Sequence, residues 1–493
     1  MSEKYIISID QSTQGTKAMA FDSRGRLLGR KDIPHRQIIN EQGWVSHDAE
    51  EIYKNTVQAV QTLICELKLD TKAIAGVGIS NQRETSLIWN KTTKKPLAPA
   101  VVWQCSRASG VCQKVEEEHP GIADKVFTKT GLKLSPYFPA SKLAWLIQNT
   151  SEAKALLENQ ELCLGTVDTW LVFRLTNGSA YKTDYSNASR TQLFNIFNLS
   201  WDEEICRAFG IDPKALPQVC GSDSCFGYTD FEGFLAEPVP IHGVLGDSHG
   251  ALLGQGCLKP GMIKTTYGTG SSIMMNIGEN PVLSKHGVVT SLAWGLGGKV
   301  SYVLEGNINY TGAVITWLKD DVELITDPGQ TQQLCQQAVG DDSLYLVPAF
   351  TGLGAPYWNS EAKGTLWGIT RTTGRAEIVR AGVECIAYQI ADVIFAMCQD
   401  SGMQLKELRV DGGPTKNEYL MQFQSDILKA DVLVPDCEAL SGTGAAYAAG
   451  QGLGLYDSSI FELLERRAYR PVMAENVRQK KYDGWKMAVS KVL

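Results

Sequence analysis

The sequence lacks the features that mark several large classes of protein. Its 493 residues include only six histidines, and none of its twelve cysteines has Cys-x-x-Cys spacing. A zinc ribbon or a disulfide framework is therefore a weak interpretation. Most of the cysteines are expected to be small buried side chains in a reducing environment, which favours a cytoplasmic protein.

The chain also lacks a basic block and a long apolar run. Its 47 basic residues stand against 54 acidic ones, for a formal net charge of −7, and no basic stripe favours nucleic acid. No uninterrupted apolar run approaches the ~18 residues that span a bilayer. No basic segment followed by a long apolar stretch indicates a secretion signal. We expect neither nucleic acid nor a membrane among its partners.

What the chain does contain is an alternation of strand-like and helical patterns. Residues 73–80 are typical of a strand buried on both faces. Residues 48–67 have apolar side chains at helical spacing behind Asp48, a residue type that caps helices. This alternation predicts α/β domains. Because 493 residues exceed the ~250–300 at which a single core stops growing, two or more domains are expected.

The most informative segment is a predicted β-hairpin at residues 5–21. The apolar run from Tyr5 to Ile9 ends at Asp10, and small and hydroxylated residues precede a second apolar run. Exposed N–H groups in such a bend form a nest for a phosphate, and an aspartate beside it can hold Mg²⁺. An ordinary edge hairpin is the alternative interpretation.

Later segments repeat this arrangement. Residues 263–272 place glycine and threonine between two strand-like runs, and Asp247 and Gly412–Gly413 each follow a strand-like run. Together these four segments would let two domains hold the phosphates of a nucleotide from opposite sides. Glycine turns are common in any α/β protein with 47 glycines, but the four together favour a nucleotide cleft.

Long blocks of the sequence match one family of enzymes. The blocks are residues 78–85, 101–105, 137–146, 165–170, 183–191, 347–358, 364–384 and 420–426. On these blocks the chain closely resembles the glycerol kinases of the FGGY family of carbohydrate kinases, within the actin-like ATPase superfamily. The resemblance runs from Tyr5 to about Trp485. One departure is Gly382, where a larger residue is usual.

The resemblance implies an α/β fold of two actin-like, ribonuclease H-like domains with a cleft between them. We expect an N-terminal domain at residues 1–250, with the substrate site and the first phosphate loop, and a nucleotide-binding C-terminal domain at residues 251–493. The resemblance also implies ATP and Mg²⁺, a polyol or sugar substrate, and a homo-oligomer, either a dimer or a tetramer.

Individual roles are also implied by the resemblance. Asp247 is the expected base for the attacking hydroxyl, and Asp10 and Asp247 are the expected carboxylates at Mg²⁺. Lys17 stands where arginine is typical, so it keeps the charge but loses the bidentate fork, and Thr316 replaces a glutamine. The expected nucleotide-binding residues are Thr13, Gln14, Lys17, Thr269, Gly312, Thr316, Gly413 and Asn417.

The acceptor side departs from the family pattern. Ser272 replaces a phenylalanine, and Ser248 and His249 replace two glutamines. Exchanging a phenyl for a hydroxymethyl group removes most of an apolar wall, and a gap weakens binding. We therefore expect an ATP-dependent kinase for a polyol or open-chain sugar larger than glycerol, with a true glycerol kinase as the alternative. The expected acceptor-binding residues are Arg83, Glu84, Trp103, Tyr137, Asp247, Ser248 and Ser272.

A non-catalytic sensor of sugar or nucleotide is the alternative from another class. It would not need Asp10, Asp247, Thr269 and Gly413 together, so an enzyme is the better interpretation. In some bacterial glycerol kinases a sugar bisphosphate binds a loop that carries glycine and arginine. The matching residues 230–238 contain no basic side chain, so we predict no inhibition by fructose 1,6-bisphosphate.

Overall fold

A computed structural model describes residues 3–339, 343–437 and 439–493. The strands of the first half are β1 (Tyr5–Gln11), β2 (Gly15–Phe21), β3 (Leu27–Pro34), β4 (Ile38–Ile39), β5 (Val45–His47), β6 (Ile74–Asn81), β7 (Ser86–Asn90), β8 (Ala100–Val101), β9 (Leu162–Thr166), β10 (Lys182–Asp184), β11 (Phe194–Asn195), β12 (Ser200–Trp201), β13 (Gln218–Cys220), β14 (Gly227–Thr229) and β15 (Val239–Gly246). The helices of this half are α1 (Ala49–Leu67), α2 (Ser109–Glu118), α3 (Ile122–Thr130), α4 (Pro139–Asn149), α5 (Ala153–Glu158), α6 (Val167–Leu175), α7 (Tyr185–Ala188), α8 (Glu203–Ala208) and α9 (Asp247–Gly254).

The second half adds nine strands and six helices to the described part of the chain. The strands are β16 (Ile263–Tyr267), β17 (Ser271–Gly278), β18 (Val289–Leu296), β19 (Lys299–Ile308), β20 (Tyr345–Val347), β21 (Thr365–Trp367), β22 (Glu407–Gly412), β23 (Asp431–Pro435) and β24 (Arg466–Tyr469). The helices are α10 (Gly312–Thr316), α11 (Gln330–Gln337), α12 (Arg375–Ser401), α13 (Glu418–Leu428), α14 (Leu440–Gly452) and α15 (Glu475–Val489).

The first large sheet has the strand order β14-β15-β6-β1-β2-β3. Strands β1, β2 and β3 form an antiparallel meander, and β6 runs parallel to β1. This confirms the hairpin predicted around Asp10 and the strand predicted at 73–80. The predicted helix at 48–67 is α1, and its Asp48 side chain accepts the backbone N–H of Glu50 at 2.8 Å.

The second large sheet repeats this pairing, with the order β18-β19-β17-β16-β22-β23-β24. Strand β16 pairs antiparallel with β17 and parallel with β22, as β1 does with β2 and β6. A third sheet, β4-β5-β8-β7-β9, belongs to the first half. The link from β6 to β7 therefore joins the first sheet to the third, and Arg83 and Glu84 lie in this link.

Helices α9 and α14 cross where the two halves meet. Helix α14, from the end of the chain, packs on β1, β6 and β15 of the first sheet. At the crossing a Cβ on Gly444 would overlap the carbonyl oxygen of Gly250, and one on Gly254 would overlap that of Leu440. Only glycine allows this approach of main chain to main chain. The expected division at residue 250 falls inside α9.

Helix α12 is the core helix of the second half. Among the described residues it alone is long and apolar enough to cross a membrane, with a mean hydropathy of 1.5 in its most apolar window. In the fold, 89% of that window is buried, because α12 packs against α11, α13, β17 and β19. The search of the sequence for uninterrupted apolar runs did not single out this helix. Its burial accounts for its composition.

Candidate active site

Asp247 is the first residue of α9 and directly follows β15. Its Oδ1 accepts the backbone N–H of Ser248 at 2.6 Å and the Nε–H of Arg83 at 3.2 Å. Within the described residues Oδ2 accepts no hydrogen bond, and the side chain is 36% exposed. The N-terminus of a helix favours negative charge. The carboxylate can therefore accept a proton from a group that enters the cleft.

Arg83 joins Asp247 to a buried carboxylate of the second half. Its Nη1 and Nη2 donate to the two oxygens of Glu305, on β19, at 2.8 and 2.9 Å. Burial alone would lower the pKa of Arg83, but the charges of Glu305 and Glu84 raise it well above its ordinary value. Burial alone would raise the pKa of Glu305, but Arg190 and Arg83 hold it well below its ordinary range. Both groups are therefore ionised.

Glu84 is held by a second arginine. Its Oε1 accepts the Nε–H of Arg190 at 2.6 Å, and Nη1 of Arg190 donates to Glu305 at 2.9 Å. The backbone of Glu84 lies in the left-handed region, with φ of 59°. Non-glycine residues adopt that conformation at an energetic cost, and it is concentrated at functional sites.

Two aromatic rings stand beside these charges. Trp103 and Tyr137 pack edge to face with their centroids 5.7 Å apart. The buried Lys142 ammonium donates to the backbone carbonyls of Pro136 and Tyr137, and burial lowers the pKa of Lys142 to about 7. Trp103 Nε1 donates to Thr13 Oγ1 at 3.0 Å. The structure thus places Thr13, a predicted nucleotide residue, against the aromatic wall.

Ser272 is at the site, but its hydroxyl proton is already engaged in a hydrogen bond. It donates to Ser248 Oγ at 3.2 Å, and that oxygen also accepts from Nη2 of Arg83 at 3.2 Å. The two serines therefore bind each other across α9 and β17. From the sequence we expected Ser272 to bind the acceptor and to leave room for a larger substrate.

Asp10 and Lys17 face each other across the first hairpin. Lys17 Nζ donates to Asp10 Oδ2 at 3.0 Å, and Asp10 is only 4% exposed. Gln14, at the bend, is exposed. No three Asp, Glu, His or Cys side chains cluster within the described residues. Mg²⁺ usually takes one or two carboxylates and completes its shell with phosphates and water, so the carboxylates of Asp10 and Asp247 are of the chemical type that this ion takes.

A cavity of about 430 Å³ lies on the second half. The four nucleotide-binding residues predicted furthest along the chain, Gly312, Thr316, Gly413 and Asn417, all line it. Asn417 is also the N-cap of α13, where it accepts the N–H of Leu420 at 3.0 Å. The volume is in the range of small-molecule sites. The carbonyl of Thr269 accepts two N–H groups from residues 311 and 313, which joins the second hairpin to α10 at the cavity.

Sequence reasoning missed three residues of the site, Arg190, Glu305 and His249. Glu305 had a usable signal, since it is a single carboxylate inside the apolar strand β19. Arg190 lies in a matched block without an assigned role. His249 is fully buried, and neither ring nitrogen has a hydrogen-bond partner among the described residues. Burial, and then the charge of Arg83, lowers the pKa of His249 well below its ordinary value.

The N-terminal domain of the FGGY family of carbohydrate kinases matches residues 5–254, and the C-terminal domain of that family matches residues 263–453. The chain belongs to the FGGY family of carbohydrate kinases. This FGGY kinase is therefore a phosphotransferase that uses an alcohol group as acceptor.

Named relatives cover the FGGY kinase from end to end. "Glycerol kinase 1" of Thermotoga maritima is 45% identical over 99% of both chains. "Glycerol kinase" of Oceanobacillus iheyensis is 42% identical over 99% of this chain and 98% of its own. The crystal structure of Plasmodium falciparum glycerol kinase with ADP superposes with a TM-score of 0.93 at 34% identity, over 99% and 98% of the two chains.

A more distant structure shows how far the fold extends. The ligand-bound xylulose kinase of Lactobacillus acidophilus superposes with a TM-score of 0.89 at 22% identity, over 99% of this chain and 98% of its own. At that identity the likeness concerns the fold alone. The two-domain actin-like fold implied by the sequence is thus confirmed.

Proposed function

We propose that this kinase transfers the γ-phosphoryl group of MgATP to a hydroxyl of glycerol. The observation that carries the proposal is the acceptor side of the cleft. There the predicted Arg83 and Glu84 lie in one charged cluster with Asp247, beside the aromatic pair of Trp103 and Tyr137. Relatives named glycerol kinase, 42–45% identical over nearly the full chain, support it.

This proposal replaces the expectation of a substrate larger than glycerol. The relatives favour the alternative, and that expectation rested on the apolar wall lost at Ser272. Because the hydroxyl of Ser272 donates its proton to Ser248, it has no second proton for an additional hydroxyl of a longer substrate, and its oxygen can only accept.

The acceptor-binding groups suit a small, uncharged and strongly hydrated ligand. An arginine N–H donates a hydrogen bond to a hydroxyl oxygen, and a carboxylate oxygen accepts a hydrogen bond from a hydroxyl O–H. Arg83 and Glu84 can therefore orient neighbouring hydroxyls. The rings of Trp103 and Tyr137 can pack on the carbon chain.

In the proposed reaction, each charged side chain of the site has a role. The hydroxyl oxygen of the acceptor bonds to the γ-phosphorus as the bond to the bridging β,γ-oxygen breaks, and the electron pair of that bond leaves with ADP. Asp247 accepts the hydroxyl proton. Asp10 and Asp247 are the residues that would hold Mg²⁺, which would supply charge neutralisation at the phosphates. Lys17 and the backbone amides of the two hairpins hold the phosphates, and the cavity on the second half holds the adenosine.

We further propose a homo-oligomer, either a dimer or a tetramer, in the cytosol. The cysteines other than Cys437 are free thiols, which supports a reducing compartment. Light scattering of the purified protein measures the oligomeric state, and a monomer at micromolar concentration contradicts that part of the proposal.

The test is a coupled assay of ADP release with glycerol, erythritol, xylitol and ribulose. Glycerol is expected to give the highest kcat/KM, roughly tenfold or more above the others, which is the discrimination that contacts to one or two groups provide. Asp247→Asn is the control for ADP release that does not depend on the site. A higher kcat/KM for a four- or five-carbon acceptor overturns the proposal.

A further inference from the structure

Five charged side chains form a continuous row of alternating sign, in the order Asp247, Arg83, Glu305, Arg190 and Glu84. Successive members are joined by hydrogen bonds of 3.2, 2.8, 2.9 and 2.6 Å. We propose that Glu305 and Arg190 are positioning residues for the acceptor, Glu305 acting through Arg83 and Arg190 acting through Glu84. This inference rests on the proposed function.

The carboxylate of Glu305 accepts four hydrogen bonds from its neighbours. Glu305 is fully buried on β19. Its carboxylate accepts two N–H groups from Arg83, one from Arg190 at 2.9 Å and one from Asn307 at 3.2 Å. A carboxylate with this many donors has one orientation. Since a bidentate arginine–carboxylate pair is planar, that orientation also fixes the guanidinium plane of Arg83.

The fixed plane determines what Arg83 offers to a ligand. A guanidinium has five N–H groups. Nε donates to Asp247, Nη2 donates to Glu305 and Ser248, and Nη1 donates once to Glu305. Within the described residues a single N–H, on Nη1, therefore remains for an acceptor hydroxyl.

Arg190 fixes the orientation of the Glu84 carboxylate, as Glu305 fixes that of the Arg83 guanidinium. Its Nε–H holds Oε1 of Glu84, and within the described residues Oε2 accepts no hydrogen bond. Arg190 is itself fixed by Glu305 and by the ring of Phe138, whose centroid lies 5.1 Å from its guanidinium carbon. Apart from Oδ2 of Asp247, the proposed base, the row thus presents one donor and one acceptor atom, which is the pair that two neighbouring hydroxyls require.

The row also spans both halves of the chain. Glu305 belongs to the second large sheet, whereas Arg83, Glu84 and Arg190 come from the first half. A purely structural ion network would stabilise this junction and leave acceptor selectivity alone. The two roles make different predictions, because a positioning role changes the recognition of neighbouring hydroxyls.

The experiment compares Glu305→Gln with the wild type. Glutamine keeps the size but cannot accept both N–H groups of Arg83. We expect the KM for glycerol to rise roughly tenfold or more, as a lost charged hydrogen bond does, and the KM for ATP to stay within about twofold. The preference for glycerol over 1,3-propanediol, which lacks the middle hydroxyl, is expected to fall by a similar factor.

The matched control is Asp392→Asn. Asp392 is also a buried carboxylate of the second half, and it accepts hydrogen bonds from Tyr357, Tyr482 and Trp485. Its loss is expected to lower Tm without changing the KM for glycerol or the preference over 1,3-propanediol. If Glu305→Gln does not fold, Arg190→Lys keeps the positive charge, loses the fork and carries the same expectation.

Two results separate this inference from the proposed function. If glycerol is not the best acceptor of the wild type, the proposed function fails. The KM of Glu305→Gln relative to the wild type is then measured with the best acceptor and with its analogue that lacks the neighbouring hydroxyl. If Glu305→Gln lowers Tm and leaves the acceptor KM and the analogue preference unchanged, Glu305 is structural and the inference is overturned.

Discussion

On the acceptor side of the cleft, five charged side chains bind one another, whereas the cavity on the nucleotide side has a single charged residue, Lys416, among its described lining residues. The cavity is shaped by glycines, by the apolar side chains of Ile315 and Leu420, and by the capping side chain of Asn417. The acceptor side is therefore formed by charged side chains that bind one another, and the cavity on the second half by glycines and mostly uncharged side chains.

This difference fits the difference between the two ligands proposed above. Glycerol is small and uncharged, so its orientation has to come from fixed protein groups. A nucleotide brings its own charge and a large surface, and it needs room and exposed amides. Substitutions on the acceptor side are expected to change recognition and stability together, while those on the nucleotide side can change recognition alone.

The largest effect is expected at the base. Asp247→Asn keeps the size and removes the proton acceptor, so kcat is expected to fall about 10³-fold, within the range for a positioned general base. Single-turnover ADP release measures it. Asp483→Asn, on the exposed face of α15, is the control with unchanged kcat. An Asp247→Asn enzyme that retains a tenth of wild-type kcat would exclude this role.

The second largest effect is expected at Arg83, on the acceptor side of the cleft. Arg83→Lys keeps the charge and loses the fork that binds both oxygens of Glu305. We expect kcat/KM for glycerol to fall about 100-fold and Tm to fall, because Glu305 is left buried with one partner fewer. Steady-state kinetics and calorimetry on one preparation measure both. A change in only one of them would break the stated coupling of recognition and stability.

The nucleotide side is tested by Gly413→Val. A Cβ on Gly413 meets no atom within 4 Å, so the valine side chain points into open space of the cavity. The KM for ATP is expected to rise about tenfold, with the KM for glycerol and Tm unchanged. Gly110→Val, where a Cβ also meets nothing, is the control. A large fall in Tm for Gly413→Val alone would contradict the prediction.

A smaller effect concerns pH and the buried histidines beside the first hairpin. His35 and His47 pack edge to face at 4.7 Å. Burial, and then the charge of His47, lowers the pKa of His35 to about 4, and burial lowers that of His47. Since the unfolded state binds protons near pH 6.5, it is favoured as the pH falls from about 6.5 towards 4.

Urea denaturation between pH 7.5 and pH 5 measures this loss. One such histidine contributes up to about 1.4 kcal/mol per pH unit to the fall in the free energy of unfolding. His35→Leu is expected to flatten the profile by up to that amount, with the share of His47 remaining. An unchanged slope in His35→Leu would show that His35 does not carry the effect.

The smallest effect is the predicted absence of inhibition by fructose 1,6-bisphosphate. Asp230, Glu232 and Gly233 border a cavity of about 770 Å³, which Lys94, Lys95 and Arg174 also line. Glu50 lines it as well, and Arg174 pairs with Glu50. A bisphosphate would meet as many carboxylates as cations. Activity at millimolar effector is expected to equal activity without it, and loss of activity would contradict this.

The sequence predicted local features well. The hairpin at Asp10, the strand at 73–80 and the helix capped by Asp48 all depend on contacts between near neighbours in the chain. The shared cavity of Gly312, Thr316, Gly413 and Asn417 came through the family resemblance, and the roles of these residues stay predictions.

The rest depended on contacts between distant parts of the chain. Glu305 binds partners 222 and 115 residues away, and no local pattern says which arginine meets a lone carboxylate in a strand. The hydroxyl of Ser272 was expected to face substrate, because its partner Ser248 lies on another element. The contact between Thr13 and Trp103 likewise crosses 90 residues.

The crossing of α9 and α14 determines how the two halves can turn. Gly250 and Gly444 meet through main-chain atoms, so no rotamer can change there and the helices cannot come closer. We therefore expect any relative motion of the halves to be a rotation about this contact. Asp247 lies on α9 one turn before Gly250. In such a rotation the proposed base would lie near the axis, where displacement is least, and the outer walls of the cleft would move furthest.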